Sequence, residues 1–187
     1  TPLKGFKGNK FEGGHRVPFF VVYGDRFKGR YDGLTSSLDI LPTAMAVAGI
    51  DPADTKNPLD GTNLLPYLRG ETDGDPHEIL YWRKNNQAAV RMGPYKYIRV
   101  KGVGERLYDL GENLEEARDL CDSLPAIRRR MSDSLDRWQS ELVNPVLWDE
   151  GAWEEVNIDI HRNLMNNRPV DCFTPGEFRA KYGKHRK

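Results

Sequence analysis

The sequence predicts an α/β chain: a parallel-sheet strand with helices, followed by a small antiparallel sheet packed by a C-terminal helix. Three observations predict it. Phe19-Phe-Val-Val-Tyr23 is a continuous apolar run, the pattern of a strand covered on both faces. Between residues 79 and 108, short aromatic and β-branched segments alternate with turn pairs. Ile127, Met131, Leu135, Trp138 and Leu142 recur at spacings of four, four, three and four, one apolar stripe on a helix.

Taken in order, the chain opens on a loop, Lys4–Pro18, that gathers Lys4, Lys7, Lys10, His15 and Arg16 around four glycines and one carboxylate, Glu12. Glycine lets such a loop turn sharply and bring cationic groups close to a small anion. A solvated basic loop is the plainer reading of the same charges. Val17–Tyr23 then reads as a buried strand. Ser36 and Ser37 can cap the next segment and Gly49 can stop it; Pro42 splits it into a turn and a helix from about Thr43. Residues 70–78 form an acidic, glycine-rich linker.

Four strands follow, at Ile79–Arg83, Ala88–Met92, Tyr95–Val100 and Arg106–Tyr108, as an antiparallel meander. Ser123 can cap the final helix, and Pro125 is tolerated in its first turn, where its missing N–H costs nothing. The Met/Trp stripe packs on the sheet, and Arg128, Arg129 and Arg130 point to solvent. Beyond Pro145 the periodicity weakens; Trp148 and Trp153 are candidate anchors of a wrapping tail. The predicted divisions are 1–69, the linker 70–78, the sheet-and-helix unit 79–145, and an extension over 146–187.

Composition narrows the function. Twenty-eight basic and 28 acidic residues cancel, and no apolar run reaches the length of a membrane span. Residues 1–30 nonetheless carry seven Lys/Arg against Glu12 and Asp25. That local field suits a small anionic substrate better than nucleic acid, since repeated basic stripes with interleaved aromatics are missing. Cys121 and Cys172 permit one disulfide without implying it, and no Cys/His spacing suggests zinc.

The string Leu3-Lys-Gly-Phe-Lys-Gly-Asn-Lys-Phe-Glu-Gly-Gly-His-Arg-Val-Pro18 resembles the sulfatase family in its arylsulfatase branch, within the alkaline-phosphatase-like superfamily. It meets every specified position of Leu-(Arg/Lys)-Gly-x-Lys-Gly-x-x-x-Glu-Gly-Gly-x-Arg-Val-Pro. Ser36-x-x-Asp-x-x-Pro-Thr43, Asp60-Gly-x-Asn-Leu-x-Pro66, Arg91–Tyr97 and Leu107-Tyr-Asp-Leu110 resemble further stretches of that family, as scaffold rather than site. The resemblance covers residues 1–145. It implies that Lys7 is the catalytic and substrate-binding lysine that contacts a sulfate group. Glu12 and Arg16 are read as an internal pair bracing the loop. His15, at the variable position, is open between substrate contact and structural histidine. Lys4 and Lys10 are expected at the exposed rim, and His77 and Arg83 are weaker candidates for substrate contact, His77 being expected to be exposed.

The resemblance also implies a formylglycine nucleophile, a Ca2+ ion on oxygen ligands, a sulfated small molecule or carbohydrate as substrate, and a periplasmic, secreted or lysosomal setting. Neither cysteine has the Cys/Ser-x-Pro/Ala-x-Arg pattern, and no Asp-Asp or Asp-Asn-Gly metal motif occurs, so no metal ligand is expected in this chain. The simplest expectation is the C-terminal part of a sulfatase, inactive alone and partnered by the missing N-terminal part. Two alternatives stand beside it: a phosphate or phosphonate ester hydrolase of the same superfamily, and a non-catalytic interaction module.

Overall fold

A computed structural model describes residues 3–24, 26, 28–143, 151–171 and 173–183. They form two compact units, one running to Arg16 and resuming at Tyr81, the other Val17–Leu80.

The first unit is built on a meander of four strands, β1 (Ile79–Lys84), β2 (Gln87–Met92), β3 (Tyr95–Val100) and β4 (Gly104–Asp109), in the order β1-β2-β3-β4. The predicted strands are all present, each within two residues of its expected ends. The turns follow local chemistry: Asn85 and Gly93 both take positive φ, the backbone that tight hairpins need. Register sets Val90 opposite Tyr97 and Tyr97 opposite Leu107, and on the other face Ala89 opposite Ile98. Alternation then sends Tyr97 and Arg99 to one side of β3 and Lys96, Ile98 and Val100 to the other.

Both sides are covered. Helix α4 (Pro125–Ser140) lies on the first, burying Met131 and Leu135 completely. Tyr81 stacks on Trp138 at 4.9 Å and bonds Ser134 at 2.7 Å. Two details differ from expectation. Leu124, not Ser123, precedes the helix and no side chain caps it; Pro125 at the first position removes a donor that a cap would have served. Arg128 is not free in solvent but pairs with Glu105 of β4 at 3.1 Å.

The opposite face carries the core: Ala89, Ile98, Val100, Tyr108 and Leu110 meet Phe11 of the N-terminal loop and Leu164 and Met165 of helix α5 (Ala152–Met165). The extension beyond residue 151 is therefore part of this unit. His161 of α5 is fully buried, bonded to Gln87 and to the Asn157 carbonyl. Helix α6 (Pro175–Tyr182) starts with a Thr174–Glu177 capping box, and its Tyr182 bonds Asp159 of α5 at 2.8 Å. Trp153 is an exposed residue rather than an anchor, though its ring meets Phe178. Trp148 and Cys172 lie outside the described residues; Cys121 is a buried free thiol.

The second unit contains helix α2 (Ile40–Val47), entered by a 3-10 turn at Ser37–Asp39, and the short helix α3 (Leu65–Leu68). Pro42 does not delay the helix to Thr43. It sits in the first turn, where the missing N–H has no intrahelical partner anyway. Asp39, wholly buried, ties the unit together by accepting from the Ser36 and Thr62 amides at 2.7 and 2.8 Å and from His77 Nε2 at 2.7 Å. The Ser-x-x-Asp-x-x-Pro-Thr stretch is thus a bracket: Ser36 caps, Asp39 knots, and Thr43 Oγ1 receives the Leu64 amide at 2.9 Å.

The predicted strand over Val17–Tyr23 does not form. Among the described residues only Tyr23 makes a bridge, and Phe20 and Val22 are 83 % and 88 % exposed. A strand of this composition is stabilised by neighbours on both edges and cover on both faces, and apart from the first two residues of β1 the described residues of Val17–Leu80 hold no strand.

Candidate functional site

The loop from Lys4 to Arg16 closes on itself. The Asn9 amide donates to the Phe6 carbonyl at 3.0 Å, the Gly13 amide to the Lys4 carbonyl at 2.8 Å, and Asn9 Oδ1 accepts from the Phe6 amide at 3.0 Å. Its crossing point has no room for side chains. A Cβ on Gly13 would stand 2.5 Å from the Gly5 carbonyl oxygen, and one on Gly14 would stand 2.3 Å from that of Asn9. That is the physical demand behind the Glu-Gly-Gly triplet, which opens the single-turn helix α1 (Glu12–His15).

β3 anchors the loop from below. Lys96 is 1 % exposed and donates to Glu12 Oε1 at 2.8 Å; its ammonium also lies 2.9 Å from Glu116 Oε1. Glu116 Oε2 accepts the Glu12 amide at 2.7 Å, closing a ring of one lysine, two carboxylates and one backbone N–H. Burial pushes the Glu116 carboxyl above its usual range, against the pull of Lys96. Sequence reasoning missed Lys96 and Glu116. Their signal was present only as a lysine in the Gly-Pro-Tyr-Lys-Tyr stretch and a glutamate in the acidic turn after β4.

The predicted residues fall out as follows. Lys7 is exposed, on the bend between Gly5 and Gly8. Glu12 is buried and bonded to Lys96; Arg16 is 3.6 Å away with half its side chain in solvent. Lys4 is not a rim charge. It donates to the Glu116 carbonyl and to Asn167 Oδ1, and its ammonium lies 5.5 and 5.4 Å from the ring centroids of Phe11 and Tyr108. Lys10 is not exposed either: it keeps 8 % of its surface, and burial, then Lys84 and Lys96, lower its pKa to about 8.

His15 stacks on Trp82 of β1 at 4.5 Å, with both ring nitrogens buried and unpartnered among the described residues. Burial first, then Lys96 and Lys10, lower its pKa to about 2. It is therefore neutral across the physiological range, and the titration near neutrality expected of an ordinary histidine is lost. His77 is not an exposed linker residue but the covered partner of Asp39. Arg83 donates to the Val143 carbonyl at 3.2 Å. No group of three or more His, Cys, Asp or Glu able to hold a metal occurs among the described residues.

Fold and loop together define an α/β protein with a glycine-rich, lysine-bearing loop seated on an antiparallel sheet. Residues 1–50 match the family model described as Sulfatase. The uncharacterized sulfatase YdeN of Escherichia coli (strain K12) is 41 % identical over 81 residues, covering 42 % of this chain and 14 % of that protein. Choline-sulfatase of Rhizobium meliloti (strain 1021) is 31 % identical over 121 residues, covering 63 % and 24 %. The structure of Ps i-CgsB in complex with k-i-k-neocarrahexaose aligns with a TM-score of 0.63 at 24 % identity, covering 99 % of this chain and 37 % of that one. The chain is similar to these sulfatases over part of its length, and it spans 14 % and 24 % of the length of the two curated relatives named. No helix among the described residues is long and apolar enough to cross a membrane.

Proposed function

We propose that this chain forms one wall of the active site of a sulfate-ester hydrolase, with Lys7 as its sulfate ligand. One observation carries the reading. Lys4 is bonded, Lys10 is covered and Glu12 is locked to Lys96, while Lys7 alone of these stands free and exposed on a loop that has no slack. An ammonium held ready in this way gives charge-assisted hydrogen bonds to sulfuryl oxygens as negative charge develops on them. It can also deliver a proton to the departing alkoxide. The Glu12–Lys96–Glu116 ring fixes the base of the loop, so that the approach of Lys7 costs little reorganisation.

Among the described residues no group of three or more His, Cys, Asp or Glu gathers that could hold a calcium ion. Calcium and the formylglycine nucleophile are proposed to come from residues outside this chain, with a sulfated small molecule or carbohydrate as substrate. The test is substrate choice in a full-length enzyme that contains this chain. Matched aryl sulfate, aryl phosphate and aryl phosphonate esters are offered, and the sulfate ester is expected to turn over with the highest kcat/KM. Preference for either phosphorus ester would overturn the reading.

A further inference from the structure

Three lysines around the loop crown have no anionic partner. Lys7, Lys10 and Lys84 make no hydrogen bond or ion pair among the described residues, while Lys96 beside them is neutralised by two carboxylates. Lys84, at the end of β1, reaches the loop next to Lys7: its Nζ lies 3.5 Å from where a Cβ on Gly8 would stand. Lys10 follows Gly8 by two residues and is more than nine-tenths buried. His15, on the same loop, adds two buried ring nitrogens without partners. A buried cation is normally paired, because leaving it alone costs its hydration without return. Lys10 instead has other lysines as its charged neighbours, and its lowered pKa registers that cost. An unpaired buried charge next to a ligand-binding group is a mark of function rather than of stability.

We propose that Lys10 and Lys84 form an anion subsite beside Lys7 that receives a second negative group of the same substrate. The substrate class is then a doubly anionic sulfate ester: one sulfate on Lys7, and a second sulfate or a carboxylate on Lys10 and Lys84. The second group is bound, not cleaved, so no bond changes there. The inference rests on the sulfatase reading for its first anion only.

Calorimetric titration of the full chain tests it, with inorganic sulfate, a monosulfated sugar and the same sugar disulfated as probes. The disulfated sugar is expected to bind about tenfold tighter than the monosulfated one, the gain from added charge-assisted hydrogen bonds. Lys84→Met, at an exposed position, and Lys10→Met, which replaces an unpaired buried charge by an apolar chain of similar length, are each expected to remove that gain. Both should leave the monosulfated sugar within about twofold of wild type, since Lys7 still holds it. Equal affinity of wild type for the two sugars overturns the proposal, as does a gain that survives Lys84→Met. Inorganic sulfate that binds at Lys84 with no gain for the disulfated sugar also overturns it, as a free-anion site. If Lys7→Met leaves the monosulfated sugar untouched while Lys84→Met still removes the gain, the subsite stands and the role of Lys7 falls.

Discussion

Lys10 shows how much a single residue's setting is decided by what covers it. Read in the sequence, it is one more charge in a basic loop; folded, it is 8 % exposed with a pKa near 8. The sign of its effect on stability follows. Its pKa falls from 10.5 in the open chain to about 8 in the fold, so the folded state binds the proton less tightly. Stability at Lys10 is fully present above pH 10.5, is lost as pH falls from 10.5 to about 8, and the loss is complete below that. The loss amounts to at most about 3 kcal/mol, from the free-energy equivalent of a pKa unit. Lys10→Met is therefore expected to be more stable than wild type at pH 7 by chemical denaturation, with the difference shrinking as pH rises from about 8 to 10.5. A variant less stable than wild type at pH 7 would show that Lys10 is a structural residue. Lys4 repeats the lesson, since its ammonium is spent on Glu116 and Asn167.

At the scale of elements, the loop, β3 and the acidic turn after β4 act as one device through Lys96. A lysine in a strand, wholly buried, is tolerable because two carboxylates face its ammonium, one of them held in place by the Glu12 N–H. Removing the lysine would strand two buried carboxylates. Lys96→Met is accordingly expected to cost roughly 3–5 kcal/mol of unfolding free energy, measured by urea denaturation. A loss below about 1 kcal/mol, the ordinary size of a surface pair, would show that the ring does not hold the loop. Elements with local periodicity were legible in the sequence: the meander through its turn pairs, and α4 through its stripe. So was the loop motif, whose paired glycines answer to a crossing of backbone on backbone. What was not legible depends on residues far apart in sequence. Glu12 and Lys96 are 84 positions apart, and Glu12 and Glu116 are 104. α5 escaped notice because its core face is short, and His161, which reads as polar, belongs to the buried side.

Across the whole molecule the two units differ in how well their apolar surface is used. The unit around the meander buries its strands on both faces, whereas Val17, Phe20 and Val22 of the other lie open. Amide hydrogen exchange should therefore give strong protection in β2 and β3 and near-free exchange over residues 17–22. Protection there equal to that of β3 would show that the segment is paired in solution. The predicted strand failed for a reason outside any local pattern, since a doubly covered strand is a property of its neighbours. The loop is proposed to present Lys7 to a sulfate group. The most direct test is kcat/KM for an aryl sulfate in a full-length, formylglycine-bearing enzyme with Lys7→Ala, its fold checked by circular dichroism. Loss of a transition-state contact of this kind predicts a fall of about 100-fold or more; turnover close to wild type in the folded variant would contradict the claim.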